Sequence, residues 1–374
     1  MQTNYKHIFS SYKFPLSGIE LNNRIVLAPM TTFSGNQDGS VSDEEIAYYR
    51  ERNRTAGMLI TACAYVIKGG KGFYGQIAAD NDSFIPSLAK IAKVLKENGG
   101  KAILQIYHGG RMCPPAELPD GQPVSASAVA AERPGAVVPR EITEPEIEET
   151  IRAYGEAARR AIVAGFDGVE IHGANTYLIQ QFFSPHSNRR TDKWGGSLEK
   201  RMLFPLRVAD EVIESVKKHA DRPFVVGYRL SPEEIENPGI TLDDTLVLVD
   251  NLVKRKLDYL HISTMNFTTP SIRGEQRTDV PTHIIFKRFG HIMPIIGVGG
   301  IIHPSDAEKI LASGIPLVAM GRELIMEPHW LDKVASGNEN AIATVLDTSK
   351  RTELKIPAQM LKEIEARPGW IPMK

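Results

Sequence analysis

Residues 166–196 read FDGVEIHGANTYLIQQFFSPHSNRRTDKWGG. The apolar run from Phe166 to Ile171 predicts a buried strand, and His172, Asn175 and Tyr177 follow it within six positions. A polar, glycine-punctuated loop then leads to the next helix. An imidazole, an amide and a phenol at the C-terminal end of such a strand can hold a carbonyl oxygen and deliver a proton nearby. The same strand-then-helix rhythm recurs on both sides. Candidate strands are Arg24–Pro29, Met58–Val66, Ala102–Tyr107, Gly168–Ile171, Phe224–Arg229, Tyr259–Ser263, Pro294–Val298 and Leu317–Met320. The clearest helices are Glu144–Ala164 and Leu198–His219. The first opens after Thr143 with Glu146 three positions on, a capping box. Strands that are apolar throughout, alternating with helices, mean a parallel sheet covered on both faces.

Eight such units predict a (β/α)8 TIM barrel, which needs roughly 250 residues. The 374 residues leave a surplus. It falls in an N-terminal lead, a long insertion after strand 3 near His108–Arg140, and a tail after Asn338. The whole chain 1–374 reads as one domain, with its core at about 20–337 and the tail at 338–374. A doubly wound open sheet is the other arrangement considered, but no GxGxxG follows the first strand. With 44 basic and 45 acidic residues the formal charge is −1, which excludes an electrostatic binder of nucleic acid or acidic membranes. Two cysteines, Cys63 and Cys113, build neither a disulfide framework nor a four-cysteine cluster. No apolar run of membrane-spanning length occurs. The expected location is the cytoplasm.

In a barrel, active sites gather where strands hand over to the following loops. Strand one hands over Pro29, Met30 and Thr31, strand two Cys63, strand three Gln105, and strand four His172, Asn175 and Tyr177. Strand five contributes Arg229, strand seven Gly299 and Gly300, and strand eight Gly321 and Arg322. This ring of amide, hydroxyl, imidazole and guanidinium groups holds almost no carboxylate. It suits an anionic, hydrogen-bond-rich ligand such as a flavin and its phosphate, and suits neither glycoside hydrolysis nor a magnesium site. No metal site is expected, since His186, His261 and His283 lack partners at ligand spacing. Two glycine turns on consecutive strands, with Arg322 beside the second, predict a phosphate site at a helix N-terminus. Taken singly, each glycine reads equally well as a tight turn. Arg229 alone reads as an ion pair closing the barrel, and Tyr177 alone as a half-buried loop aromatic.

HGAN-x-Y-L-I-x-Q-F followed by R-x-D-x-W-G-G-S resembles the signature of the Old Yellow Enzyme family of flavin-dependent ene-reductases, bacterial type. The likeness runs from the LAPM strand to MGRELIMEP. It implies FMN as cofactor, with its phosphate on Gly300, Gly321 and Arg322. Pro29, Met30 and Thr31 would lie against the ring, Gln105 at its pyrimidine edge and Arg229 at the N1–C2 region. Cys63, His172 and Gly299 complete the expected cofactor set. His172 and Asn175 would hold the acceptor's oxygen and Tyr177 would supply the proton. Two positions depart from the family pattern: Met112 stands where a lysine is frequent, and Phe33 where a subset carries tyrosine. The tail RPGW, Arg367 to Trp370, is similar to that of a subgroup in which an arginine reaches a neighbour's site, so a homo-oligomer with Arg367 acting in trans is expected.

The resemblance therefore implies an NADPH- or NADH-dependent flavin oxidoreductase. It would reduce small electrophilic acceptors, such as α,β-unsaturated carbonyls or quinones, by ping-pong hydride transfer. The competing readings are a phosphate-binding barrel lyase or isomerase without flavin, which needs a strand-end lysine or carboxylate base, and a flavin-binding protein without turnover.

Overall fold

The computed structural model describes residues 5–273 and 278–374. Its centre is a ring of parallel strands: β1 (Ile25–Leu27), β2 (Met58–Ile60), β3 (Lys101–Tyr107), β4 (Gly168–Gly173), β5 (Val225–Leu230), β6 (Tyr259–Ile262), β7 (Ile295–Val298) and β8 (Leu317–Met320). Each pairs with its neighbour in sequence, β8 pairs with β1, and the eight close into a (β/α)8 barrel. The long insertion after β3 holds short helical turns and the strand pair Val124–Ser125 and Arg140–Glu141.

The strands alternate even though both faces are buried. Outward positions such as Leu27, Leu104, Val169, Ile171 and Leu260 pack against the helices. Inward positions such as Val26, Ile103, Val225, Ile296 and Ala319 fill the lower barrel, where Phe14 and Leu21 of an N-terminal hairpin close the bottom. Higher up the inward residues turn polar: Gln105, Glu170, His172, Arg229 and His261 are all buried. The cross-strand register sets Gln105 beside Glu170 and Arg229 between His172 and His261. Apolar layers below and polar layers above aim the chemistry at the C-terminal end of the barrel.

The longest helices sit where the sequence put them, one at Glu144–Val163 and the other at Leu198–His219. Glu146 accepts the Thr143 backbone N–H at 2.8 Å, as a capping box requires, and also binds Arg140. The second strand is shorter than the apolar run Met58–Val66 suggested. It stops at Ile60, and a second piece, Ala64–Tyr65, joins β3 further up. The break arises because the Ala62 N–H donates to the Tyr49 hydroxyl (2.6 Å) instead of to a neighbouring strand. That turn lifts Cys63 to the rim. The tail carries the helix Ala358–Glu365, and its Leu346, Met360, Ile364 and Ile371 are buried in the main core.

Candidate active site

A cavity of about 400 Å³ opens at the C-terminal end of the barrel, within the usual range for a cofactor site. Pro29, Met30 and Thr31 form one wall. Cys63, Gln105 and Arg229 line it together with His172, Asn175 and Tyr177. Gly299, Gly300, Gly321 and Arg322 line the far end. The structure thus brings every expected site residue to one space. Phe33, His108, Arg111 and Met112 stand outside the lining. Trp194 is fully buried against Phe182 and Phe204, as loop packing.

The hydrogen-bond network decides which atoms face the cavity. The His172 Nδ1 accepts the Ala174 N–H at 3.3 Å, leaving Nε2–H as the free donor. Burial, and then the nearby Arg229 cation, lower the imidazole pKa to about 3, so the ring is neutral. The Asn175 backbone is left-handed (φ 59°), an arrangement asparagine tolerates better than most residues. Its N–H donates to Ser231 Oγ (2.9 Å), and its side-chain oxygen accepts from Ser263 Oγ (2.9 Å). The Asn175 NH₂ is therefore turned to the cavity. Two neutral N–H donors converge, which is what a carbonyl oxygen gaining negative charge requires. Tyr177 stands in an aromatic box, with ring centroids 4.5 Å from Tyr107, 5.0 Å from His172 and 6.1 Å from Phe73. Burial pushes its phenol pKa up, with Arg367 of the same chain opposing weakly. It remains a proton carrier at any physiological pH.

The far end is shaped for an anion. Gly299 (φ 101°) and Gly300 (φ 69°) take left-handed conformations, and an added Cβ would meet Met265 O at 2.6 Å or Asn266 Nδ2 at 2.5 Å. Only glycine fits this turn. Arg322 opens the helix Arg322–Met326 and donates to the Trp370 carbonyl (3.1 Å). Arg229 donates to Ser263 Oγ at 3.1 Å, while its buried Nε has no partner among the described residues. Such an orphaned donor in a lined cavity marks a place for a ligand acceptor. Cys63 is a thiol, its pKa pushed up to about 12 by burial.

Residues 12–341 match the sequence profile of the NADH:flavin oxidoreductase / NADH oxidase family. The chain belongs to this family. It is 46% identical, over the whole of both chains, to a probable NADH-dependent flavin oxidoreductase of Bacillus subtilis. It is also 46% identical to the NADH:fumarate oxidoreductase of Klebsiella pneumoniae, covering 95% of this chain but 38% of that longer protein. The solved structure of morphinone reductase with tetrahydroNAD superimposes with a TM-score of 0.75 at 28% identity, covering 88% of this chain and 91% of the other. This flavin oxidoreductase uses NADH or NADPH and FMN, the flavin of the family. The orphaned Arg229 Nε, the amide of Gln105 and the glycine cradle fit that cofactor.

Sequence reasoning missed Ser231 and Ser263, which turn Asn175 and Arg229, and the tail residues Trp370 and Pro372, which line the cavity. A polar residue directly after a strand was signal enough for the two serines. The tail motif RPGW was marked for Arg367, whereas its Trp370 is the residue that lines the cavity.

Proposed function

We propose that the enzyme reduces the carbon–carbon double bond of small α,β-unsaturated carbonyl compounds. The observation that carries this reading is the convergence of two neutral donors, His172 Nε2–H and Asn175 NH₂, beside the Tyr177 phenol. Bound FMN supplies the hydride it has taken from NADH or NADPH. His172 and Asn175 hold the carbonyl oxygen and stabilise the charge that builds there as hydride reaches the β-carbon. Tyr177 gives its proton to the α-carbon. Arg229, a cation in the cavity lining, would stabilise the negative charge that reduction adds to a bound flavin. A cavity that accepts both nicotinamide and acceptor at one face gives ping-pong kinetics. The fumarate-named relative, whose acceptor is itself an activated alkene, supports the substrate class. Among the described residues no lysine lines the cavity, and its one carboxylate, Glu323, stands at the phosphate end away from Tyr177 in the proposed arrangement. The test is whether the NADH-reduced protein passes its electrons to the double bond of an enone.

The phosphate end includes Glu323, whose buried Oε1 has no partner. Burial raises its carboxyl pKa to about 8, against the pull of Arg322. Protonated, it can donate to a phosphate; ionised, it repels one. FMN affinity should therefore hold steady below pH 8 and fall as pH rises through it. Phosphate itself is already close to dianionic above pH 7, so the change belongs to Glu323. Fluorescence titration of the apoprotein with FMN across this range checks it. An unchanged slope in Glu323→Gln would contradict the assignment.

The tail is proposed to complete the cavity lining. In this chain it lies over its own cavity through Trp370 and Pro372, with Arg367 over the Trp370 ring (5.6 Å) and beside Glu363 (3.4 Å). That placement supports action within one chain as directly as action on a neighbour in a homo-oligomer. Sedimentation, together with enone kinetics of the chain truncated after Glu365, separates the two. Among the described residues no helix is long and apolar enough to cross a membrane.

A further inference from the structure

Beneath the cavity floor lies a carboxylate with no place in the chemistry so far. Glu170 is fully buried inside the barrel. Its Oε1 accepts from Gln105 Nε2 at 2.7 Å, and its Oε2 accepts from Tyr259 Oη at 3.1 Å and pairs with His261 Nδ1 at 2.9 Å. Three strands, β3, β4 and β6, thus converge on one side chain. Gly227 of β5 lies beside both Glu170 and Tyr259 in the register. An added Cβ there would sit 2.0 Å from the Tyr259 ring, so this glycine is what lets the ring lie where its hydroxyl meets Glu170.

We propose that Glu170 is a positioning residue for the flavin: it fixes which atoms of Gln105 face the pyrimidine edge and tempers the Arg229 cation, and so sets the flavin's midpoint potential. An ionised carboxylate only accepts, so the Gln105 NH₂ must point down to it. The Gln105 carbonyl oxygen is then left for the cavity, as acceptor for an N–H of the flavin ring. Beside it, Arg229 offers donors, one of them the unpartnered Nε. Acceptor and donors in that order match the N3–H and C2 carbonyl of the ring.

Charge acts alongside this geometry. Of the groups around Arg229, Glu170 affects its charge most strongly after burial itself. Burial opposes ionisation of Glu170, but contact with His261, the Arg229 cation and the Gln105 hydrogen bond hold it below the usual carboxylate range. Among the described residues His261 Nε2 is buried without a partner, and burial lowers the imidazole pKa against the pull of Glu170, so the ring meets the carboxylate as a hydrogen-bond donor through Nδ1. One anion therefore faces one cation. When the flavin is reduced, its new negative charge meets an Arg229 already partly neutralised from below.

The proposal rests on FMN occupying this cavity. Its test is the midpoint potential of FMN-loaded protein by dye equilibration, alongside FMN affinity and melting temperature. Glu170→Gln removes the charge and keeps the shape, since His261 and Tyr259 can each reverse their hydrogen-bonding role. The potential should shift positive. Tyr259→Phe removes one donor and leaves the carboxylate less neutralised, so its potential should shift negative. Opposite shifts are not produced by packing defects, which lower the melting temperature without a sign pattern. Should Glu170→Gln fail to fold, Tyr259→Phe decides alone. A parent chain that holds flavin and variants with unmoved potentials overturn this proposal only. A parent chain that binds no FMN overturns the flavin assignment together with it.

Discussion

Tyr177→Phe should slow reoxidation of the NADH-reduced protein by cyclohexenone about 10²–10⁴-fold, the usual contribution of a positioned general acid. The phenol stands among Phe73, Tyr107 and His172, with no carboxylate or lysine in that aromatic box to replace it. Loss of the hydroxyl leaves the ring and its packing in place. Reduction by NADH should be nearly unchanged, because that step needs no proton on carbon. Reoxidation by a quinone should also be nearly unchanged, since quinone oxygens take protons from water. Stopped-flow traces with the two acceptors side by side make the comparison. Equal slowing with both, or with neither, would remove Tyr177 as proton donor and leave the flavin site untouched.

Replacing His172 and Asn175 together by alanine should cost about 10²–10³-fold in the same enone reaction, the usual cost of losing donors aimed at a developing oxyanion. Phenol binding offers a second readout. A phenolate imitates the enolate-like oxygen, and stacked over oxidised flavin it gives a long-wavelength charge-transfer band. Tyr177→Phe should keep that band and the double variant should lose it. The Asn175 backbone N–H keeps its bond to Ser231 Oγ in the double variant, so that anchor of the loop survives the loss of the side-chain donors. Retention of the band in the double variant would show that the oxygen is held elsewhere.

The barrel was legible because its strands are short apolar runs with glycine and proline at their ends, and because a parallel sheet forces them to be apolar on both sides. Strand two was overextended, since nothing local in Met58–Val66 reveals that the Ala62 N–H leaves for the hydroxyl of Tyr49. The site was legible for a related reason. In a barrel every strand ends at the same face, so reading strand ends reads the site. That rule found His172, Arg229 and the glycine turns. It could not find contacts between residues far apart in the chain: Asn175 held by Ser263, Arg322 bonded to Trp370, and Glu170 gathering Gln105, Tyr259 and His261. The pairing of His261 with Glu170 was not foreseen, although the strand sequence held a clue. Glu170 stands between Val169 and Ile171 inside the strand, and an ionisable residue buried there must have partners.

The most direct measurement is one turnover of 2-methylcyclohexenone by protein reduced anaerobically with a single equivalent of NADH in D₂O. Mass and NMR analysis of the product locates each added hydrogen. The site geometry predicts the saturated ketone, with one hydrogen added at the β-carbon and one solvent-derived deuterium on the α-carbon, on the opposite face. Recovery of intact enone after the NADH is consumed, or a product whose α-carbon carries no deuterium, would contradict alkene reduction at the His172, Asn175 and Tyr177 site.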